Sequence, residues 1–237
     1  MDVMMRFFMD LLYPTAQQCE VCGRTGAGTV CNVCMASLDY LQGITCIHCG
    51  KQLNEQYPHS ACPDCKAGIF YYERAYSCFE YKGMGKVLLH KLKYEGRTGL
   101  ARVIAGLMEE RLKNEGLKTD AIIPVPIHEK KLEARGFNQS YVIAEELGRR
   151  LGRPVIDCME RTRETKAQYN FDKVQRQMNI IDAFSVRLRY NIDKYKSILL
   201  LDDIYTTGST VNECSKTLKE AGARAIYVIT AATGSNT

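Results

Sequence analysis

"ILLLDDIYTTGST", residues 198–210, runs from four aliphatic residues through two adjacent acids into a turn of Thr, Gly and Ser. A continuous aliphatic run with no polar alternation is the mark of a strand covered on both faces, as in a parallel sheet. The segment that follows, "STVNECSKTLKEAGA", has Val211, Cys214, Leu218 and Ala221 at helical spacing and closes at Gly222. Working outward, "ERAYSCFEYKG", "DAIIPVPI", "PVIDCME", "DAFSV" and "RAIYVITAA" read as further strands. "KVLLHKLKYEGR", with Leu88 and Leu92 inward, and "NQSYVIAEELGRRLG", with Ile143, Leu147 and Leu151 on one stripe, read as helices. The expectation is an α/β fold with a mostly parallel sheet and helices on both faces. In such folds ligands bind beyond the carboxyl ends of the strands.

Asp202 and Asp203 stand at such an end. The turn after them opens a helix, whose first N–H groups and positive dipole end attract an anion. Thr206, Thr207, Ser209 and Thr210 add hydroxyl donors, and Gly208 lets the backbone approach closely. No GK[ST] follows and the loop contains no Lys, so it is not a Walker A loop. Two acids beside a phosphate repel it unless something lies between. A ribose meets that need, with its 2′ and 3′ hydroxyls on the acids and its 5′-phosphate in the loop. Read as structure alone, the same two acids would be strand-end carboxylates capping the next helix.

Eight of the 11 cysteines form four CxxC pairs, Cys19/Cys22, Cys31/Cys34, Cys46/Cys49 and Cys62/Cys65. Two thiolates separated by two residues on a tight turn can face one tetrahedral ion, and two such turns complete a zinc site with no open position. One or two structural zinc ions are expected. Eight residues separate the first two pairs and 12 the last two. Sequential pairing is plausible on that spacing, and a cross-braced pairing stays open. With little aliphatic content, this segment needs metal binding for its folding energy. His48 and His59 lie among the pairs and are read as spectators.

The chain has 237 residues and a formal charge of +5. Residues 86–176 hold the basic excess, 19 Lys/Arg against 13 Asp/Glu, which suits a polyanionic ligand or merely a solvated surface. Lys86, His90 and Lys93 give one helix a basic face, and Tyr71, Tyr72, Tyr76, Tyr81 and Tyr94 lie near it as stacking or core residues. No apolar run reaches membrane-spanning length. "MDVMMRFFMDLLYP" reads as an amphipathic helix ending before Pro14 rather than a signal peptide, so a cytoplasmic protein without membrane insertion is expected.

"ILLLDDIYTTGST" resembles the PRPP motif of type I phosphoribosyltransferases. Together with "IIPVPIHEKKLEARGFNQS" at 122–140 and the leading cysteine pairs, the chain resembles the ComF family of competence-associated proteins over nearly its whole length. The resemblance implies an amphipathic helix at 1–18, a zinc module at 19–68 and a phosphoribosyltransferase-like domain at 74–237. It implies PRPP as ligand, with Asp202 and Asp203 on the ribose diol and residues 206–210 on the 5′-phosphate. Val125, Pro126 and Ile127 would offer backbone groups to the diphosphate, with Arg135 a cationic candidate. Arg161, Thr165, Gln168, Arg176 and Asn179 match the family's pattern in a segment that, in related enzymes, is mobile and covers the site. Mg2+ would accompany PRPP, held mainly by diphosphate and ribose oxygens. The implied partners beyond PRPP or a related sugar phosphate are single-stranded DNA and DNA-uptake proteins such as a helicase.

Two functions follow. One is an enzyme transferring phosphoribosyl to an acceptor the sequence does not name. The other is a binding protein that senses a nucleotide through the same pocket, or holds single-stranded DNA on its basic face.

Overall fold

The computed structural model describes residues 18–26, 28–53, 61–66, 68–163 and 180–234. The leading amphipathic helix, His59, and Thr165, Gln168, Arg176 and Asn179 lie outside the described residues.

Four strands form one parallel sheet: β1 (Arg74–Glu80), β2 (Ala121–Pro124), β5 (Ser197–Tyr205) and β6 (Ala225–Thr233), in the order β1-β6-β5-β2. The aliphatic run of β5 explains its central place, because both of its faces are buried. Leu199 and Leu201 enter one core with α2 (Gly83–Tyr94), α3 (Leu100–Asn114) and α5 (Gln139–Leu151). Ile198 and Leu200 enter the other with α6 (Ser209–Glu220) and an antiparallel pair, β3 (Met159–Arg161) and β4 (Phe184–Val186). Each fully buried Leu or Ile contributes about 1.5–3 kcal/mol relative to exposure. The expected α/β architecture, a mostly parallel sheet with helices on both faces behind four-cysteine modules, is the one present.

Two helices stand where the sequence reading places none. α3 buries Leu100, Ile104, Met108 and Leu112 on one stripe, and the short α4 (Glu129–Arg135) is capped by the His128 side chain and closed by Gly136 in the left-handed region. The single strand expected from "PVIDCME" is divided. Pro154 and Ile156 bond to Ile122 at the edge of β2, and the chain then leaves the sheet to form β3.

The cysteine-rich segment is built into the sheet rather than appended to it. It contains α1 (Asn32–Ala36) and a 3-10 turn at Pro63–Cys65. Its backbone covers the open edge of β1: Leu41 N–H donates to Cys78, Glu80 N–H to Asp39 and Ala75 N–H to Ile47. An exposed strand edge would otherwise present unpaired groups to other chains.

Candidate functional site

The sulfurs of Cys19, Cys22, Cys31 and Cys34 lie within 4.8 Å of one another, and so do those of Cys46, Cys49, Cys62 and Cys65. The pairing is sequential, not cross-braced. Sulfur separations of 3.9 Å for Cys19–Cys34, 3.7 Å for Cys22–Cys31 and 3.7 Å for Cys49–Cys62 match the edge of a zinc tetrathiolate, about 3.8 Å for bonds of ~2.3 Å. In both sets the N–H of the third cysteine donates to the sulfur of the first at 3.3 Å. Four thiolates with backbone donors fit structural zinc and leave no position for a reacting group.

The two sets belong to opposite faces of the sheet. Cys19 and Cys34 pack into the core of α2, α3 and α5, whereas Cys46, Cys49, Cys62 and Cys65 pack into that of α6 and the β3–β4 pair. Hydrogen bonds tie the second set to the ends of β5 and β6. The Tyr72 hydroxyl donates to the His48 carbonyl at 2.5 Å and lies 2.8 Å from the Tyr205 hydroxyl, and Thr233 Oγ1 donates to the Cys49 carbonyl at 3.3 Å.

At the same end of β5 the acid pair is buried, Asp202 at 8% and Asp203 at 5% exposure. The start of α5 holds both. Asn138 caps the helix by accepting from the Ser140 N–H, and its amide donates to the Val125 carbonyl. The next two side chains reach the acids: Gln139 Nε2 donates to Asp203 at 3.3 Å and Ser140 Oγ to Asp202 at 3.0 Å. Lys93, on α2, forms an ion pair with Asp203. Burial and the neighbouring Asp203 carboxylate push Asp202 up to about 8. Burial opposes ionisation of Asp203 too, but the Lys93 ammonium outweighs it and holds Asp203 below the usual range. The opposed shifts favour negative charge on Asp203, beside Lys93, over Asp202.

Cations surround these acids. Burial, then the charges of Arg161, Arg135 and Lys93, depress the Lys131 ammonium, and burial depresses Arg161. Lys93, Lys131, Arg135 and Arg161 thus bring positive charge toward the acids. Arg135 also donates to Gln139 and sits 5.2 Å above the Tyr94 ring.

In the loop, Gly208 has φ +79°, and a Cβ there would collide with the Tyr205 hydroxyl, so only glycine fits. Thr207 and Ser209 hydroxyls lie 2.9 Å apart, Ser209 is buried, and Thr206 is exposed while Thr207 and Thr210 are partly so. The loop after β2 offers less than the sequence implies. Val125 commits its N–H to Leu201 and its carbonyl to Asn138, and Pro126 has no N–H. Of those three residues, Ile127 alone retains an N–H for an anion, among the described residues.

The basic face of α2 is divided: Lys86 and His90 are exposed, and Lys93 turns into the site. Tyr72 and Tyr76 are core residues, Tyr81 is half-buried, and Tyr71 and Tyr94 are exposed. Sequence reasoning assigned Arg135 and the acids but gave Asn138, Gln139 and Ser140 no role. The sequence "FNQS", directly before an amphipathic stripe, carries the signal of a helix cap with polar side chains in its first turn. Among the described residues no helix is long and apolar enough to cross a membrane.

Residues 8–69 match the double zinc ribbon domain. Over 189 residues the chain is 30% identical to competence protein F of Haemophilus influenzae, covering 77% of this chain and 82% of that one. Similarity to competence protein ComFC of Streptococcus pneumoniae is 30% over 206 residues, 85% and 86% of the two chains. The DNA utilization protein YhgH of Salmonella typhimurium is 28% identical over 205 residues, 84% and 88% of the two chains. Among solved structures, an adenine phosphoribosyltransferase from Thermoanaerobacter pseudethanolicus is similar at 16% identity and a TM-score of 0.38, covering 61% of this chain and 72% of that one.

Proposed function

Since the chain belongs to the competence protein F family, we propose that it binds PRPP at the end of β5, in a process linked to DNA uptake. The observation that carries this reading is the arrangement of groups: a buried acid pair held by Lys93, Gln139 and Ser140 beside a helix-start loop, with Lys131, Arg135 and Arg161 nearby. The acids accept the 2′ and 3′ hydroxyls, residues 206–210 take the 5′-phosphate, and the cations with Ile127 take the diphosphate. When the diphosphate leaves C1, positive charge develops on the ribose ring, and the Asp202/Asp203 anion lies where it stabilises that charge. Gln139 and Ser140 hold the carboxylates in place, so little reorganisation accompanies the step. Mg2+ fits only as part of the ligand, since both carboxylates are buried and Asp203 is already paired with Lys93.

Calorimetric titration of the zinc-loaded protein with PRPP, with and without Mg2+, tests the reading, with saturable Mg2+-dependent binding expected. Asp202→Asn with Asp203→Asn is expected to abolish binding while zinc content and folding persist. Retained affinity in that double variant overturns the assignment.

A second reading has its own observation. Tyr94 is 64% exposed at the site's mouth, 4.9 Å from the His90 ring and 5.2 Å from the Arg135 guanidinium. An exposed ring between an imidazole and a guanidinium suits a base of single-stranded DNA, and the name of one relative points to DNA. Steep loss of oligonucleotide affinity with salt, and its reduction by Tyr94→Ala, would support that reading.

A further inference from the structure

Gln139 is 5% exposed, and both ends of its side-chain amide are engaged. Its Oε1 accepts from Arg135 Nη1, and its Nε2 donates to Asp203 Oδ1 at 3.3 Å. The opposite orientation is excluded, because a guanidinium only donates and an ionised carboxylate only accepts. An amide that accepts from a cation is also polarised into a stronger donor at its far end.

Under the PRPP reading the two groups it joins serve different parts of the ligand, Arg135 the diphosphate and Asp203 the ribose diol. A direct ion pair between them would set each against the other and leave less of both for a ligand. The amide connects them at lower cost, since it uses one of five guanidinium donors and one of about four carboxylate lone-pair positions. Consecutive residues at the end of α2 hold the same two groups from another side. Lys93 pairs with Asp203, and the Tyr94 ring lies 5.2 Å from the Arg135 guanidinium. Arg135, Gln139, Asp203, Lys93 and Tyr94 thus close a ring of contacts that spans α2, α4, α5 and β5. A shift of Arg135 therefore has a defined route to the acid.

We propose that Gln139 is a positioning residue that couples the two halves of the PRPP site, transmitting the placement of the Arg135 guanidinium to the Asp203 carboxylate. The inference rests on the PRPP reading and adds to it a dependence of one subsite on the other. Linkage makes the effect reciprocal, so a diol seated on Asp203 also prepares Arg135 for the diphosphate.

Ribose 5-phosphate isolates the coupling, because it carries the diol and the 5′-phosphate but no diphosphate for Arg135 to bind. Its affinity for the full-length, zinc-loaded protein is measured by titration calorimetry in the parent, Arg135→Met, Gln139→Leu and the double variant, with PRPP as reference ligand. Arg135→Met is expected to weaken ribose 5-phosphate about threefold or more in the parent, but less than about 1.5-fold in the Gln139→Leu background. The field of the guanidinium alone would act equally in both backgrounds, and independent structural roles would simply add. Zinc content and the unfolding midpoint report whether Gln139→Leu folds, and Gln139→Met, an unbranched chain of similar length, repeats the cycle if it does not. Unchanged ribose 5-phosphate affinity in Arg135→Met, or equal loss in both backgrounds, overturns the coupling and leaves the PRPP reading standing. Failure of both ligands to bind the parent at millimolar concentration overturns the two together.

Discussion

The two zinc ribbons share a donor set and differ in almost everything around it. In the first, Cys22 is exposed and Cys31 partly so; in the second all four cysteines are buried. The first packs into the core of α2, α3 and α5 and connects to the acid pair through α2, whose Leu88, Leu89 and Leu92 share its apolar cluster and whose Lys93 pairs with Asp203. The second is bonded, through its His48 carbonyl, to Tyr72, whose hydroxyl meets that of Tyr205 beside Gly208. Identical coordination chemistry can therefore sit in the core on one face and beside the loop after β5 on the other. Hydrogen bonds outside the coordination shell distinguish the two.

The sharpest way to break this comparison is to remove one thiolate from each ribbon. Cys49→Ser is expected to release one zinc, disorder the support of the loop and take PRPP binding below detection. Cys22→Ser is expected to weaken zinc at the first site yet leave PRPP affinity within about threefold, since its sulfur lies at the surface. Zinc stoichiometry with calorimetry on both variants is the check. Equal loss in the two would mean that the ribbons act as one unit.

Lys93→Met cuts the link on the first ribbon's side. It strands the buried Asp203 carboxylate, and a destabilisation of about 3 kcal/mol is expected in urea unfolding. A change under about 1 kcal/mol would show that the ion pair is replaced by solvent. Tyr72→Phe cuts the link on the second ribbon's side by removing the hydrogen bond to Tyr205, with a cost of about 1 kcal/mol. PRPP affinity should fall by up to about fivefold with zinc content unchanged, and unchanged affinity would remove Tyr72 from the loop's support.

A last test separates the acid pair from both ribbons. The folded-state pKa of Asp202 is raised to about 8, so the native state holds a proton that the unfolded chain has released. Stability from this group is full below pH ~4 and is lost as pH rises toward ~8. Asp203, held low, acts in the opposite sense and loses its contribution as pH falls below the usual carboxylate range. Asp202→Asn should flatten the stability profile between pH 5 and 8, and a slope equal to the parent's would place the proton elsewhere.

What the sequence revealed was local. The aliphatic run of β5, the Gly208 turn and the CxxC spacing each carry their meaning within about 15 residues, and their physics is that of one strand, one turn and one ion. What it concealed was long-range. Lys93 looks like any lysine on an amphipathic helix until the fold carries it to an acid 110 residues away, and Gln139 and Ser140 reach carboxylates more than 60 residues ahead. The stripe of α3 was periodic and readable, yet its role as cover for β1 and β6 follows only from the strand order. The placing of two like ribbons on opposite faces depends on how the chain crosses the sheet edge, which no spacing encodes.

That edge has a consequence for how the protein is made. β1 is the first strand of the sheet to leave the ribosome, while its parallel neighbour β6 is the last. At ~5–20 residues per second, roughly 10–30 s pass between their appearance. During that interval the cysteine segment ahead of β1 has already been synthesised, and it supplies the bonds from Asp39, Leu41 and Ile47. Zinc loading early in translation thus gives the newborn strand a chaperone within its own chain, and zinc scarcity would show first as aggregated nascent protein rather than as a weakened finished one.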